Sequence, residues 1–353
     1  MAKIHELDTP VVLIDIDRVE VNLKRAQDYA DANGVKLRPH IKTHKLPQFA
    51  KRQMELGAIG ITCQKIGEAE VMVDAGLRDI LLPYNFLGEP KLKRLLALAK
   101  RAALKVTADS ITTIDGYSRT FSESGITLPV LVECDTGGAR AGVQTPEEAL
   151  ALARYINASD GLRFAGLMTY PAKGATAQAN AWLARATVLL REAGLAPEIV
   201  STGGTPDLWH SGENGAATEY RPGTYIYLDR FQVHEGVGGF EDCALSVLAT
   251  VVSRPTNTRA ILDAGSKTLT SDTLGLQGFG RIVEYPDAVI ASLSEEHGTV
   301  DLTRSTAKPR VGDMVRIIPN HACPVSNLFD EVTLVRGDDV VGTVPVAARG
   351  KVA

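Results

Sequence analysis

The chain has 353 residues, 44% hydrophobic and 23% charged, which suits a globular protein with one large domain plus a smaller one, or two medium domains. A formal net charge of −4 leaves no basic excess to neutralise phosphates and argues against nucleic acid as a partner. No segment has the layout of a signal peptide and no apolar run is long enough to span a bilayer, so a cytoplasmic protein without membrane attachment is expected.

Up to about residue 230, short apolar runs alternate with longer helix-like stretches. Strands are predicted at 37–43, 60–64, 79–84, 105–109, 129–135, 164–170, 198–203 and 219–228, and helices include 89–103, 146–157 and 179–193. Eight strands, each followed by a helix or a long crossover, predict a (β/α)8 TIM-type barrel. A doubly wound open sheet fits the same alternation, but no Gly-x-Gly-x-x-Gly follows the first strand. Beyond Cys243, strand-like runs at 244–253, 259–263, 288–293, 313–318 and 330–336 are separated by Gly, Pro and Asp turns with almost no helical periodicity. These predict a smaller all-β domain at 241–353 after a barrel at 10–240. The opening strand-like run, 9–17, is a candidate to pair with the β domain instead of the barrel, as are residues 1–9. The four cysteines are never paired at short spacing, so Cys63 and Cys134 read as buried thiols.

Polar groups recur where the barrel strands should end, which is where such a barrel builds its active site. The first is Lys42, in Leu37-Arg38-Pro39-His40-Ile41-Lys42-Thr43-His44-Lys45; a desolvated strand-end amine can form a Schiff base. Gln64, Tyr84, Asp109, Asp135 with Arg140, and Tyr170 follow at later ends. Ser201-Thr202-Gly203-Gly204-Thr205-Pro206 and Arg221-Pro222-Gly223-Thr224-Tyr225 are glycine turns after the seventh and eighth strands, suited to a phosphate held by backbone N–H groups. A lysine opposite paired phosphate loops suggests pyridoxal 5′-phosphate, with Arg140 reaching the aldimine or phenolic oxygen and Gln64 and Tyr170 lining the ring or substrate pocket. In the β domain, His321-Ala322-Cys323 is the best metal candidate: imidazole and thiolate two residues apart on an extended segment face one side and leave positions open for water or substrate. Asp272, Glu296 and His297 are secondary candidates for ligand, base or supporting roles.

Taken together, these motifs and Asp135-Thr136-Gly137-Gly138-Ala139-Arg140-Ala141-Gly142, Ser294-Glu295-Glu296-His297-Gly298 and Pro319-Asn320-His321-Ala322-Cys323 resemble the D-threonine aldolase/D-serine dehydratase family of alanine-racemase-like, fold type III pyridoxal-phosphate enzymes. The resemblance covers nearly the whole chain. It implies a barrel followed by a β domain, a homodimer, Lys42 rather than Lys45 as the Schiff-base residue, and a divalent metal (Mn, Zn, Mg or Co) on His321 and Cys323 near the substrate hydroxyl. It also implies a small D-amino acid substrate and an aldehyde product, with a metal-bound hydroxide, His44 or His297 as base. Cys323 is the residue that the resemblance associates with dehydratases, whereas aldolases can carry aspartate there. Met168-Thr169-Tyr170 departs from the dehydratase pattern, which ends in histidine, and turns the expectation back to D-threonine aldolase. D-serine or D-threo-3-hydroxyaspartate dehydratase is the alternative.

Overall fold

The computed structural model describes residues 2–213 and 215–353. It contains two compact units, one of residues 25–42, 47–223 and 351–353 and the other of residues 1–24, 43–46 and 224–350.

β1 (Val11–Asp15) belongs to the second unit. The first contains β2 (Lys36–Leu37), β3 (Ile61–Thr62), β4 (Asp79–Leu82), β5 (Ala103–Ala108), β6 (Leu128–Cys134), β7 (Leu162–Thr169), β8 (Ile199–Thr202) and β9 (Glu219–Tyr220). All eight are parallel, in the order β2-β9-β8-β7-β6-β5-β4-β3. The sheet closes through a parallel bridge from His40 to Thr62, whose N–H donates to Pro39 O at 2.8 Å. The expected barrel is therefore present.

The intervening helices follow from their sequences. Pro146–Ala158 starts with Thr145 and Glu148 in a reciprocal capping box and with Pro146 in its first turn, where no N–H partner is lost. It buries Ala149, Leu152, Ala153 and Ile156, one stripe at helical spacing. Alternation along β6 divides the core: Val130 and Val132 join the helix-facing cluster, while Leu131 joins Leu81, Ala165 and Met168.

The second unit adds β10 (Leu245–Thr256), β11 (Arg259–Leu262), β12 (Arg281–Ile282), β13 (Val289–Leu293), β14 (Gly298–Asp301), β15 (Met314–Ile318), β16 (Glu331–Arg336) and β17 (Asp339–Pro345). They form one sheet with β1, in the order β11-β14-β13-β12-β15-β10-β1-β16-β17. β10 also pairs with β11, which closes six of the strands into a ring. β1 lies antiparallel to β10 and parallel to β16, so the opening run pairs with the β unit.

Several boundaries differ from the sequence reading. The barrel unit ends at Gly223, not 240, because residues beyond it take their hydrogen bonds within the β unit: Arg230 N–H donates to Pro319 O at 3.0 Å and Ala244 N–H to Tyr227 O at 2.7 Å. The strand expected at 37–43 is only Lys36–Leu37, followed by the His40 bridge and a 3-10 turn at Ile41–Thr43. Pro39 removes a ladder donor and interrupts the strand. Pro222 has the same effect on the run at 219–228, which pairs only at Glu219–Tyr220 and turns 3-10 at Thr224–Ile226. The β unit also contains short helices at Ser266–Leu269 and Ala322–Leu328, too brief to show a helical period in sequence. Among the described residues, no helix is long and apolar enough to cross a membrane.

Candidate active site

In the barrel unit, Lys42 sits half-buried in the 3-10 turn that follows the short β2. Its backbone N–H approaches His40 Nδ1 at 3.4 Å, and His40 Nε2 lies 3.0 Å from Gln64 Oε1. Gln64 is held further, its side-chain amide donating to Pro83 O at 3.3 Å and its backbone N–H to Glu68 Oε2 at 2.8 Å. Gln64 thus braces the histidine before the Lys42 turn.

The glycine loop after β8 is built as a backbone cradle. Gly203 has φ +91, and a Cβ there would overlap the ring of Tyr220, while one on Gly204 would meet the ring of Tyr170. Tyr220 donates its hydroxyl to Gly204 O at 2.9 Å, and Thr205 Oγ1 accepts the Gly223 N–H at 3.1 Å, tying both glycine turns together. A cavity of about 170 Å³ is lined by Arg140, Tyr170, Thr202, Gly203, Gly204 and Tyr220 among others. The exposed Arg140 guanidinium stands 5.0 Å from the Tyr170 ring centre, a cation–π arrangement. Its loop is shaped by Asp135 Oδ1, which accepts the N–H groups of Gly137 (2.9 Å) and Ala139 (3.1 Å). Side-chain-free loops, an aromatic wall and a guanidinium fit a phosphorylated aromatic cofactor. Gly203→Ala is expected to lower stability by about 3 kcal/mol and weaken cofactor binding, measured by thermal melting and pyridoxal-phosphate titration. An unchanged melt would mean that the loop does not need glycine there.

Ser201, expected in the cradle, instead belongs to the barrel interior. Its Oγ donates to Glu219 Oε1 at 2.6 Å and accepts from Arg221 Nη1 at 2.6 Å. Burial lowers the pKa of Arg221 to about 10, against the opposing charges of Glu219 and Glu133. Sequence reasoning singled out Arg221 but missed this network. The available signal was ionisable residues at alternate positions of otherwise apolar strands.

In the β unit, His44 is fully buried and its Nδ1 accepts the Leu46 N–H at 3.0 Å, so a neutral ring carries its proton on Nε2. Lys45 Nζ bonds Asn327 Oδ1 at 2.7 Å, a structural engagement. Thr43, the residue after Lys42, places Oγ1 3.1 Å from Cys323 Sγ, and Thr224 Oγ1 is 3.5 Å from the same sulfur. Tyr225 is buried beside Thr224 in its 3-10 turn.

His321 and Cys323 do come together, though not along an extended segment. His321 is the N-cap of the helix Ala322–Leu328 and Cys323 lies in its first turn, where Pro324 is tolerated. Asp229 anchors this helix start by accepting the Ala322 N–H at 2.8 Å; burial pushes its carboxyl up to about 6 despite such bonds. Asp272 Oδ2 lies 2.8 Å from His321 Nδ1, so Nε2 is the ring nitrogen a metal could take. Burial lowers the His321 pKa, but its hydrogen bond with Cys323, that residue's charge, and Asp272 and Asp229 raise it to about 9. An imidazole oriented by a carboxylate beside a thiol fits a divalent metal held by two protein donors. Among the described residues, no cluster of three or more His, Cys, Asp or Glu has metal-binding geometry. His297 is exposed in the turn between β13 and β14, its carbonyl accepting the Ser294 N–H at 2.9 Å. Glu296, in the same turn, is paired with Lys267 at 2.6 Å.

Residues 14–230 match the family model "Alanine racemase, N-terminal domain", and residues 244–335 match "Putative serine dehydratase domain". D-threonine aldolase from an Arthrobacter species is 36% identical over 98% of this chain and 93% of its own length. D-threo-3-hydroxyaspartate dehydratase from Delftia sp. (strain HT23) is 32% identical over 96% of each chain. The crystal structure of D-threonine aldolase from Filomicrobium marinum superposes with a TM-score of 0.93 at 36% identity, covering 100% of this chain and 99% of that one. The chain is therefore a lyase and belongs to the D-threonine aldolase/D-serine dehydratase family of alanine-racemase-like, fold type III pyridoxal-phosphate enzymes.

Proposed function

We propose that the protein is a pyridoxal-phosphate- and divalent-metal-dependent lyase of D-β-hydroxy amino acids, and specifically a D-threonine aldolase that breaks Cα–Cβ to release glycine and an aldehyde. The observation that carries this reading is the 36% identity to D-threonine aldolases, in sequence and in a solved structure, over 98–100% of the chain.

The chain's own residues divide the work as follows. Lys42 supplies the amine that holds the cofactor covalently. The N–H groups of Gly203, Gly204 and Thr205 would take the phosphate, and the Tyr170 ring walls the pocket. Arg140 presents a cation to the cofactor's phenolic oxygen or the substrate carboxylate. His321 and Cys323 hold the metal, and Asp272 fixes the imidazole that binds it. His44 holds the Thr43–Leu46 turn by accepting the Leu46 N–H. When bound, the cofactor supplies an electron sink and the metal lowers the pKa of a nearby hydroxyl.

Incubation with D-threonine tests this directly. Acetaldehyde and glycine are the expected products, and exclusive release of 2-oxobutyrate and ammonia would overturn the aldolase assignment. The second reading, a D-serine or D-threo-3-hydroxyaspartate dehydratase, is favoured by Cys323 and by the likeness to the Delftia dehydratase. It predicts the keto acid outcome.

A further inference from the structure

One register row crosses four barrel strands. Glu133 on β6 stands opposite Met168 on β7, Met168 opposite Ser201 on β8, and Ser201 opposite Glu219 on β9. Arg221, two residues beyond Glu219, shares its side of the chain. It donates to Ser201 Oγ at 2.6 Å, Met168 Sδ at 3.3 Å and Thr169 O at 2.7 Å. Glu219 accepts from Arg38 Nε at 2.8 Å and from Ser201. Arg38 also pairs with Asp79, which receives Lys105 Nζ at 2.9 Å. This is a belt of paired charges on the barrel strands.

Glu133 is the exception. It is 6% exposed, yet among the described residues its carboxylate takes one long hydrogen bond, from Thr107 Oγ1 at 3.4 Å. The charged groups acting on it are Arg140 from the loop after β6, Asp109 after β5, and Arg221 after β9. Burial raises its carboxyl above the ordinary range; Arg140 and Arg221 oppose that rise and Asp109 adds to it. In the belt, Arg38, Lys105 and Arg221 face Asp79, Glu219 and Glu133. An ionised Glu133 therefore leaves the belt neutral, and a protonated one leaves a single cation in excess. In a site of low effective dielectric, one uncancelled charge matters to an incoming anion.

We propose that Glu133 is the charge-adjusting member of this belt, and that seating the anionic phosphorylated cofactor in the barrel is linked to a proton on Glu133. Glu133 acts through the belt, chiefly through Arg221, and is a positioning residue rather than a catalytic one. The inference rests on the pyridoxal-phosphate reading above. By linkage, the wild type should lose cofactor affinity as pH rises through the Glu133 titration, relative to a variant that cannot ionise there.

The test strips the full-length wild type and Glu133→Gln of cofactor and titrates both with pyridoxal phosphate, following the visible band across pH. Ionisations other than that of Glu133 are common to both proteins and cancel in the ratio of dissociation constants. That ratio, wild type over variant, is expected to rise about tenfold from the acidic to the alkaline end. A ratio that stays constant overturns the proposal. Should Glu133→Gln fail to fold, the infrared difference between cofactor-bound and stripped wild type decides instead. A gained protonated-carboxyl band supports the linkage, and its absence overturns it. A wild type that stays colourless with pyridoxal phosphate at every pH refutes the cofactor reading itself, whereas a coloured protein with a flat ratio refutes only the role of Glu133.

Discussion

Lys42→Ala is expected to abolish the covalently bound visible band and to cut turnover by roughly a thousandfold or more. Lys42 is half-buried in the turn Ile41–Thr43, directly after the bridge that closes the barrel. The neighbouring lysine provides the control. Lys45 is 5% exposed, has φ +56 and bonds Asn327 Oδ1 at 2.7 Å, so its substitution should reduce thermal stability while leaving the band in place. An absorbance spectrum and a D-threonine assay on both variants separate the two roles. A retained covalent band in Lys42→Ala would show that another amine holds the cofactor.

Removal of the metal should be equally decisive. Exhaustive chelation is expected to silence the enzyme and a divalent ion to restore it, with His321→Ala and Cys323→Ala no longer retaining metal through dialysis. Asp272→Asn keeps both ligands but loses the carboxylate that lies 2.8 Å from His321 Nδ1. Its metal affinity should fall by about 10–100-fold, as measured by competition with a chelating dye. Full activity in chelated protein, confirmed metal-free by elemental analysis, would remove the metal from the mechanism.

Much of this architecture is legible without coordinates. Alternating apolar runs and amphipathic stretches indicate a parallel barrel because a strand between helices must be apolar on both faces. The loss of that rhythm after Cys243 marks the β unit. The turn chemistry is legible too: a Cβ on Gly203 or Gly204 would meet the rings of Tyr220 or Tyr170, and the φ of +91 at Gly203 favours glycine. Lys42 and the His321/Cys323 pair stand out in the sequence because amines, imidazoles and thiols are costly to place beside apolar segments, and the roles proposed for them start from that signal.

Partners distant in sequence were not legible. Nothing near His321 announces that Asp272, 49 residues earlier, orients its ring, nor that Asp229 caps its helix from 93 residues away. Ser201 reads as part of a phosphate loop, yet register places it against Glu219 and Arg221. The short strands around Pro39 and Pro222 also depended on tertiary structure, since a proline weakens a ladder locally but only the neighbouring strand decides where pairing stops. Composition and periodicity report how each segment meets water, and that is enough to choose an architecture. Which charge neutralises which depends on strand register and closure of the sheet, and those arise only when segments far apart in the chain pack together.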